Sequence, residues 1–423
     1  MVAREFDVII YGATGFTGLR TCQYLARTYP QGVRWAIAGR STAKLEEVRQ
    51  KLVAIDPALS TLPIVQADAS DMSALEAMTA RTKVVLTTVG PFLAHGIPLV
   101  EACVKRGTHY IDSTGETPFV NKIIQKYHEE ARAKNVVVVP CCGFDSVPSD
   151  IGTKLVVDFL KSEYNLDTKS VKMSLRDWCG AASGGTLASA CGIMEARDGN
   201  MKSMSNQNEL VPESAASKVV PAKISMPTIF YDYDFKQWQA YFFMSSTNEK
   251  IVKRSHGLGV EADGIGYGQQ FSYYESMSCP GLFTATTTTV ATILGGIGLG
   301  IGPIRRLAQK YILPAPGTGP SDALIAKSHF TIEVIGEAVK PENVSGEEGE
   351  PIRAIAVVKG GDPGYSETCK YLVESALCLV KNEDRVRKEN KVTGGVLTPA
   401  HAFGQVLIGR LRDQGAKLTV SRL

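Results

Sequence analysis

Apolar and polar positions alternate in blocks along the first third of the chain. Phe6–Tyr11 is a short apolar run suited to a buried parallel strand, and Leu19–Thr28 has helical spacing. Strand-like runs follow at Val33–Ala38, Leu62–Gln66, Val84–Thr88, Thr108–Ile111 and Val136–Val139, with a helix predicted over Gly96–Arg106. Strands alternating with helical stretches in this way predict a parallel, doubly wound α/β sheet. The remainder is mixed. It reads as helix 151–160, strand Ser170–Cys179, a helix opening at Ser183 and running to about Ala196, and strand-like segments at 241–245, 270–277, 329–337 and 352–359. Helices Ser366–Val380 and Ala400–Arg412 close the chain. The pattern divides it into a sheet domain, 1–150, a second α+β domain, 151–390, and a C-terminal helix and tail, 391–423, packing back on the core. Residues 197–222, 342–350 and 381–391 read as polar loops.

One stretch departs from the pattern. Ser276–Ile304, within the second domain, is 29 consecutive residues without a charge or a His. Pro280 divides it, and Gly281–Ile304 is followed at once by Arg305, Arg306 and Lys310. As a helix this length nearly spans the ~30 Å of bilayer hydrocarbon. Its content suits a span poorly, with six Gly and six Thr between Gly281 and Gly302. The pairs Gly296/Gly300 and Gly298/Gly302 have the spacing that lets helices approach closely. Three readings stand: a core helix or partner contact, including a homodimer; a patch over 281–304 dipping into a membrane or lipid-droplet surface; or a true span.

Composition bounds the class of protein. At 423 residues, with 44% apolar and 21% charged, the chain is that of a folded protein of two or three domains. A net charge of +3 with no basic stripe gives no reason to expect a nucleic-acid partner. Nine Cys without a CxxC pair argue against a disulfide scaffold or a metal centre. The opening MVAREFDVIIYG lacks the marks of a signal peptide, so the expected location is intracellular, in the cytosol or on the cytoplasmic face of a membrane or lipid droplet.

The turn after the first strand carries the chemistry. Gly12-Ala13-Thr14-Gly15-Phe16-Thr17-Gly18 sits between strand and helix, the context that a dinucleotide-binding turn requires. Gly12 serves the tight turn, Gly15 lets backbone approach a pyrophosphate, and Gly18 lets the helix pack close to the strand. The second strand ends at Arg40, 22 positions after Gly18, where an NAD site places a carboxylate for the ribose 2′-hydroxyl. Arg40, with Ser41 beside it and Lys44 one turn on, suits a 2′-phosphate instead, and the cofactor expected is NADPH. Further strand ends, where ligands gather in such sheets, are Asp68, Val89-Gly90-Pro91-Phe92, Asp112–Glu116 and Cys142–Asp145.

None of the 15 Tyr is followed four residues later by Lys, which removes the short-chain dehydrogenases. The strings YGATGFTG, AGRS, TTVGPF, HYIDSTGE and CCGFDSVPSD, in this order, resemble the saccharopine-dehydrogenase-like oxidoreductases. The resemblance is to the branch that includes mycobacterial trans-acting enoyl reductases and an animal lipid-droplet-associated homologue. It runs on through LPAPGTGPS (313–321), GGDPGYSETCKYL (360–372) and GGVLTPAHAFG (394–404), and GFDSVPSD is its most specific part. It implies a Rossmann domain, a second α+β domain and a reduced nicotinamide cofactor. It implies contacts to that cofactor from Gly12, Thr14, Gly15, Phe16, Thr17, Arg40, Asp68, Gly90 and Pro91, and it leaves the substrate open.

Residues 174–250 hold scattered basic residues (Arg176, Arg197, Lys202, Lys218, Lys223, Lys236 and Lys250) and a rising aromatic content (Ile229-Phe230-Tyr231, Trp238, Tyr241-Phe242-Phe243). That fits a small lipophilic substrate better than a dicarboxylated amino acid, although the same aromatics also suit plain core strands. For a proton donor the candidates are His95, Asp145 and Tyr110, with Ser113, Thr114 and Glu116 beside them. Asp145 reads equally as a turn former bonded to backbone N–H groups, and His95 as a cap for a helix from Gly96. The function expected is NADPH-dependent reduction of an enoyl or enone C=C bond. The alternatives are a Rossmann binding protein on a membrane or droplet, without robust turnover, and a C=N reductase of the saccharopine type.

Overall fold

The computed structural model describes residues 4–180, 191–192, 194, 206–222, 224, 227–312, 318–339 and 351–423. Of the expected helix from Ser183 only Cys191, Gly192 and Met194 are among them, and these are helical, while 342–350, Arg197, Lys202 and Lys223 lie outside. The first strand, β1 (Phe6–Tyr11), is buried along its whole length, as its apolar run requires. It is followed by α1 (Phe16–Thr28), β2 (Trp35–Gly39), α2 (Thr42–Val53), β3 (Ile64–Gln66), α3 (Met72–Thr79), β4 (Thr82–Thr87) and α4 (Phe92–Arg106). Then come β5 (His109–Asp112), α5 (Thr117–Ala133), β6 (Val137–Val139) and α6 (Val147–Tyr164). The strands form a wholly parallel sheet in the order 3-2-1-4-5-6, the doubly wound arrangement the alternation predicts.

A second sheet holds β7 (Thr168–Cys179), β8 (Phe230–Asp232), β9 (Gln237–Ala240), β10 (Ser272–Cys279), β11 (His329–Ala338) and β12 (Arg353–Gly360). Between β9 and β10 runs α7 (Ser245–Asp263), and between β10 and β11 run α8 (Leu282–Gly300), α9 (Gly302–Tyr311) and α10 (Asp322–Lys327). The chain ends through α11 (Thr368–Lys381), α12 (Glu383–Asn390), β13 (Gly395–Val396), α13 (Pro399–Asp413) and β14 (Lys417–Arg422). β13 adds to the first sheet beside β6, and β14 adds to the second beside β12. One buried cluster joins the two, from Ile10 and Leu86 through Leu372 and Ala376 to Val334 and Val358. A boundary at 150 therefore cuts the sequence but not the core, because α11 and β13 complete the first layer.

Three local expectations change. α4 starts at Phe92, directly after the cis Gly90–Pro91 bond, and not at Gly96. Its leading N–H groups are held by Glu116, 24 residues away, a partner that local spacing does not announce. His95 is therefore inside the first turn of α4 and is not its cap. The strand expected at 241–245 is instead the turn into α7. The 276–304 run ends β10 and forms most of the α8–α9 pair, with only Ala285 and Thr289 of α8 buried, so it is not a core helix.

Candidate active site

The crevice begins at the glycine turn. Gly12 has φ +92°, and a Cβ there would lie 2.7 Å from Val89 Cγ2. A Cβ on Gly18 would strike the Gly12 carbonyl, so α1 can cross the turn this closely only with glycine. A Cβ on Gly15 would meet nothing but that carbonyl, at 3.3 Å, and no side chain caps α1. The leading N–H groups of α1 therefore face an open cradle, which fits a pyrophosphate. Thr14 is exposed there, and Thr17 turns its carbonyl back to Thr21. The Phe16 ring is packed on Tyr365 at 4.8 Å and under Arg20 at 4.6 Å, which leaves its backbone toward the cradle.

At the far end of the crevice Arg40 is exposed at the end of β2, as a 2′-phosphate contact needs. Ser41 is the cap of α2, accepting from Lys44 N, and Lys44 is exposed. Asp68 accepts from Ser70 N and Oγ, and those bonds, with Arg40 and His95 nearby, hold its carboxyl below the usual range. His95 thus stands toward Asp68, exposed in the first turn of α4. Tyr11 lies beneath this group, its hydroxyl raised to about 12 by burial and Asp68.

The central turn is held by a chain of buried carboxylates. Val89 N donates to Thr87 Oγ1, and Phe92 N and Leu93 N each donate to one oxygen of Glu116 at 2.9 Å. Glu116 N donates to Thr114 Oγ1, and Thr114 N and Cys141 N both donate to Asp112 Oδ1. Burial lifts the Asp112 carboxyl to about 7 against these bonds. Glu116 and Thr114 are therefore fully used in building the turn. Tyr110 is wholly buried in the layer formed by Phe92, Leu99 and Phe119, so it cannot reach a substrate and is withdrawn as a catalytic candidate.

Asp145 is different. Its carboxyl makes no hydrogen bond to any described residue, and the turn it was expected to shape is held by others, with Phe144 N donating to Thr368 Oγ1. Burial alone raises it to about 6. Beside it are Gly115, whose Cβ position is 3.7 Å from Asp145 Oδ2, and the Met244 methyl, 3.6 Å from the same position. The half-exposed Ser113 packs against Gly143 in the same corner. The rest of the CCGFDSVPSD motif is structural. Ser146 donates to Asn248 Oδ1, Asn248 donates to Ser149 and Glu275, and Asp150 accepts from Ser255 and Ala400 N. Cys141 and Cys142 are buried with their thiols pushed well above the ordinary range, which excludes a thiolate nucleophile.

α7 was missed because every face of it is covered, polar side chains included, so no amphipathic stripe marks it. Among the described basic residues of 174–250, Arg176 pairs with Glu333, Lys250 pairs with Glu209, Lys218 holds Gly264 O and Gln269, and Lys236 is an exposed turn residue. They do not converge. No group of three or more His, Cys, Asp and Glu among the described residues could hold a metal ion.

Residues 8–139 match the family model of the saccharopine dehydrogenase NADP binding domain. The trans-acting enoyl reductase of Mycobacterium tuberculosis is 33% identical over 99% of this chain and 99% of its own. The trans-acting enoyl reductase of Mycobacterium ulcerans is 34% identical over 99% of each. Among solved structures, the L-Glu-forming saccharopine dehydrogenase of Saccharomyces cerevisiae superposes with a TM-score of 0.53 at 13% identity, over 99% of this chain and 100% of the other, a likeness of fold.

Proposed function

This chain belongs to the saccharopine-dehydrogenase-like family, in its trans-acting enoyl reductase branch, and from that premise we propose that it reduces the C=C bond of a lipophilic enoyl or enone substrate with NADPH. The observation that carries the reading is Asp145, a carboxyl without a hydrogen bond to any described residue, raised toward neutrality, at the carboxyl end of the nicotinamide side of the sheet. NADPH, held by the α1 cradle and Arg40, supplies a hydride when bound.

The chain's own part is to stabilise and protonate the charge that follows. Addition at the β-carbon leaves an enolate, and Asp145 in its acid form delivers a proton to the α-carbon. The Ser113 hydroxyl, in the same corner, serves the enolate oxygen. The Met244 methyl, beside Gly115 and Asp145, supplies an apolar contact. Among the described residues the basic side chains of 174–250 do not converge, which supports this choice over an imine flanked by two carboxylates, whose recognition needs converging cations.

Asp145→Asn tests the proposal. With NADPH and a panel of long-chain enones, turnover drops by ~10²–10⁴-fold while the dissociation constant for NADPH stays within twofold. The wild-type rate falls as pH rises through about 6, and the variant loses that limb. Full activity in the variant, or an unchanged pH profile, removes Asp145 as the acid.

A further inference from the structure

The α8–α9 pair is exposed along most of its length. Phe283, Leu294, Ile297, Ile301, Leu307 and Ile312 are each between 46% and 80% exposed, on a molecule whose other apolar side chains are mostly inside. By length and composition α8 could cross a membrane, but topology forbids it. β10 before the pair and β11 after it both hydrogen-bond to β7, so the chain must leave and return on one side.

We propose that α8 and α9 form a monotopic docking element that lies in the headgroup–acyl boundary of an anionic phospholipid leaflet. Three observations choose this occupant. The hydroxyls of Thr284, Thr286, Thr287 and Thr292 each donate to a carbonyl of their own helix or its cap, so these four of the six Thr hydroxyls of α8 need no water. Arg305, buried, donates to Leu299 O and satisfies the carbonyl end of α8 from within. From Ser276 to Ser321 there is no Asp or Glu, and the only charges are Arg305, Arg306 and Lys310, of which Arg306 and Lys310 are exposed on α9 among Leu307 and Tyr311. An apolar face beside a purely cationic one matches an anionic lipid surface. Glycines at 295, 296 and 300 have nothing within 4 Å, so no packed protein neighbour is built against them.

The test uses the full chain in flotation with vesicles of phosphatidylcholine alone or with one-third phosphatidylserine. The protein floats with the mixed vesicles, and salt or loss of phosphatidylserine weakens this at least fivefold. Leu294→Lys with Ile297→Lys lowers the floated fraction at least tenfold, and Arg306→Glu with Lys310→Glu removes the preference for phosphatidylserine. NADPH affinity and the melting curve, measured on the same preparations, stay unchanged and show that the variants are folded. Failure of the wild-type protein to float on either vesicle overturns the proposal. So does a dimer, seen in sedimentation, that the Leu294/Ile297 variant dissociates, because a second copy then covers the face. Neither result bears on the reductase reading, which the NADPH assays judge separately.

Discussion

At the scale of single residues, the cofactor end of the crevice is simpler than the substrate end. Arg40 has no competing carboxylate on its own strand end, and its guanidinium stands exposed where a 2′-phosphate would meet it. A charge-assisted bidentate bond of this kind contributes about 1.5–3 kcal/mol, or roughly 10–150-fold in affinity. Arg40→Ala therefore weakens NADPH by that factor and NADH by less than threefold, measured by fluorescence titration of each. Equal losses for both cofactors would return Arg40 to the role of a solvated strand-end residue. Residue types alone could not rank the acids. His95, Tyr110 and Asp145 all had suitable chemistry, and only position separated them: one near Asp68, one inside the helical layer, one in the crevice without a hydrogen bond to any described residue.

At the scale of elements, what the sequence made legible was local. β1 was read at its true ends, and the glycine turn placed α1, because both obey period and turn chemistry within about ten residues. α7 was illegible because tertiary contacts cover all its faces, and β14 because an edge strand of mixed polarity carries no strong period. The start of α4 was missed for a related reason. Its cap is the Glu116 carboxylate, brought from the next turn of the fold. That cap makes a prediction. Glu116→Ala strands the buried Phe92 N–H and the Leu93 N–H and loses two charge-assisted bonds, for a loss of about 2–4 kcal/mol in urea denaturation. Asp68→Ala, at an exposed carboxylate bonded to Ser70, changes stability by less than about 0.5 kcal/mol. Similar losses in the two would mean that Glu116 does not cap α4 in solution.

At the scale of the whole molecule, buried acids lie where the layers meet. Asp112 ties β5 to the β6 turn, Asp150 ties α6 to α7 and α13, and Glu275 ties β10 to α6 through Asn248. Burial raises these carboxyls to about 7, about 7 and about 8. Each binds its proton in the folded state at pH values where the unfolded chain, titrating near 4, has already released it. The unfolded state then binds fewer protons, so stability falls as pH rises through the folded values. His256 and His401, lowered to about 4 by burial, act in the opposite sense, mainly below the unfolded value of 6.5. Between pH 6.5 and 8 the unfolded chain loses only the remaining half-charge of each His, a smaller term that the three carboxyls outweigh. Thermal stability should therefore decline across that window, by on the order of 2 kcal/mol. Glu275→Gln, which keeps the shape of the neutral acid and cannot ionise, should flatten the decline and leave the variant more stable than wild type at pH 8 relative to pH 6.5. A melting temperature that rises between pH 6.5 and 8, or a Glu275→Gln variant with the wild-type slope, would show that the layers are joined by ionised groups instead.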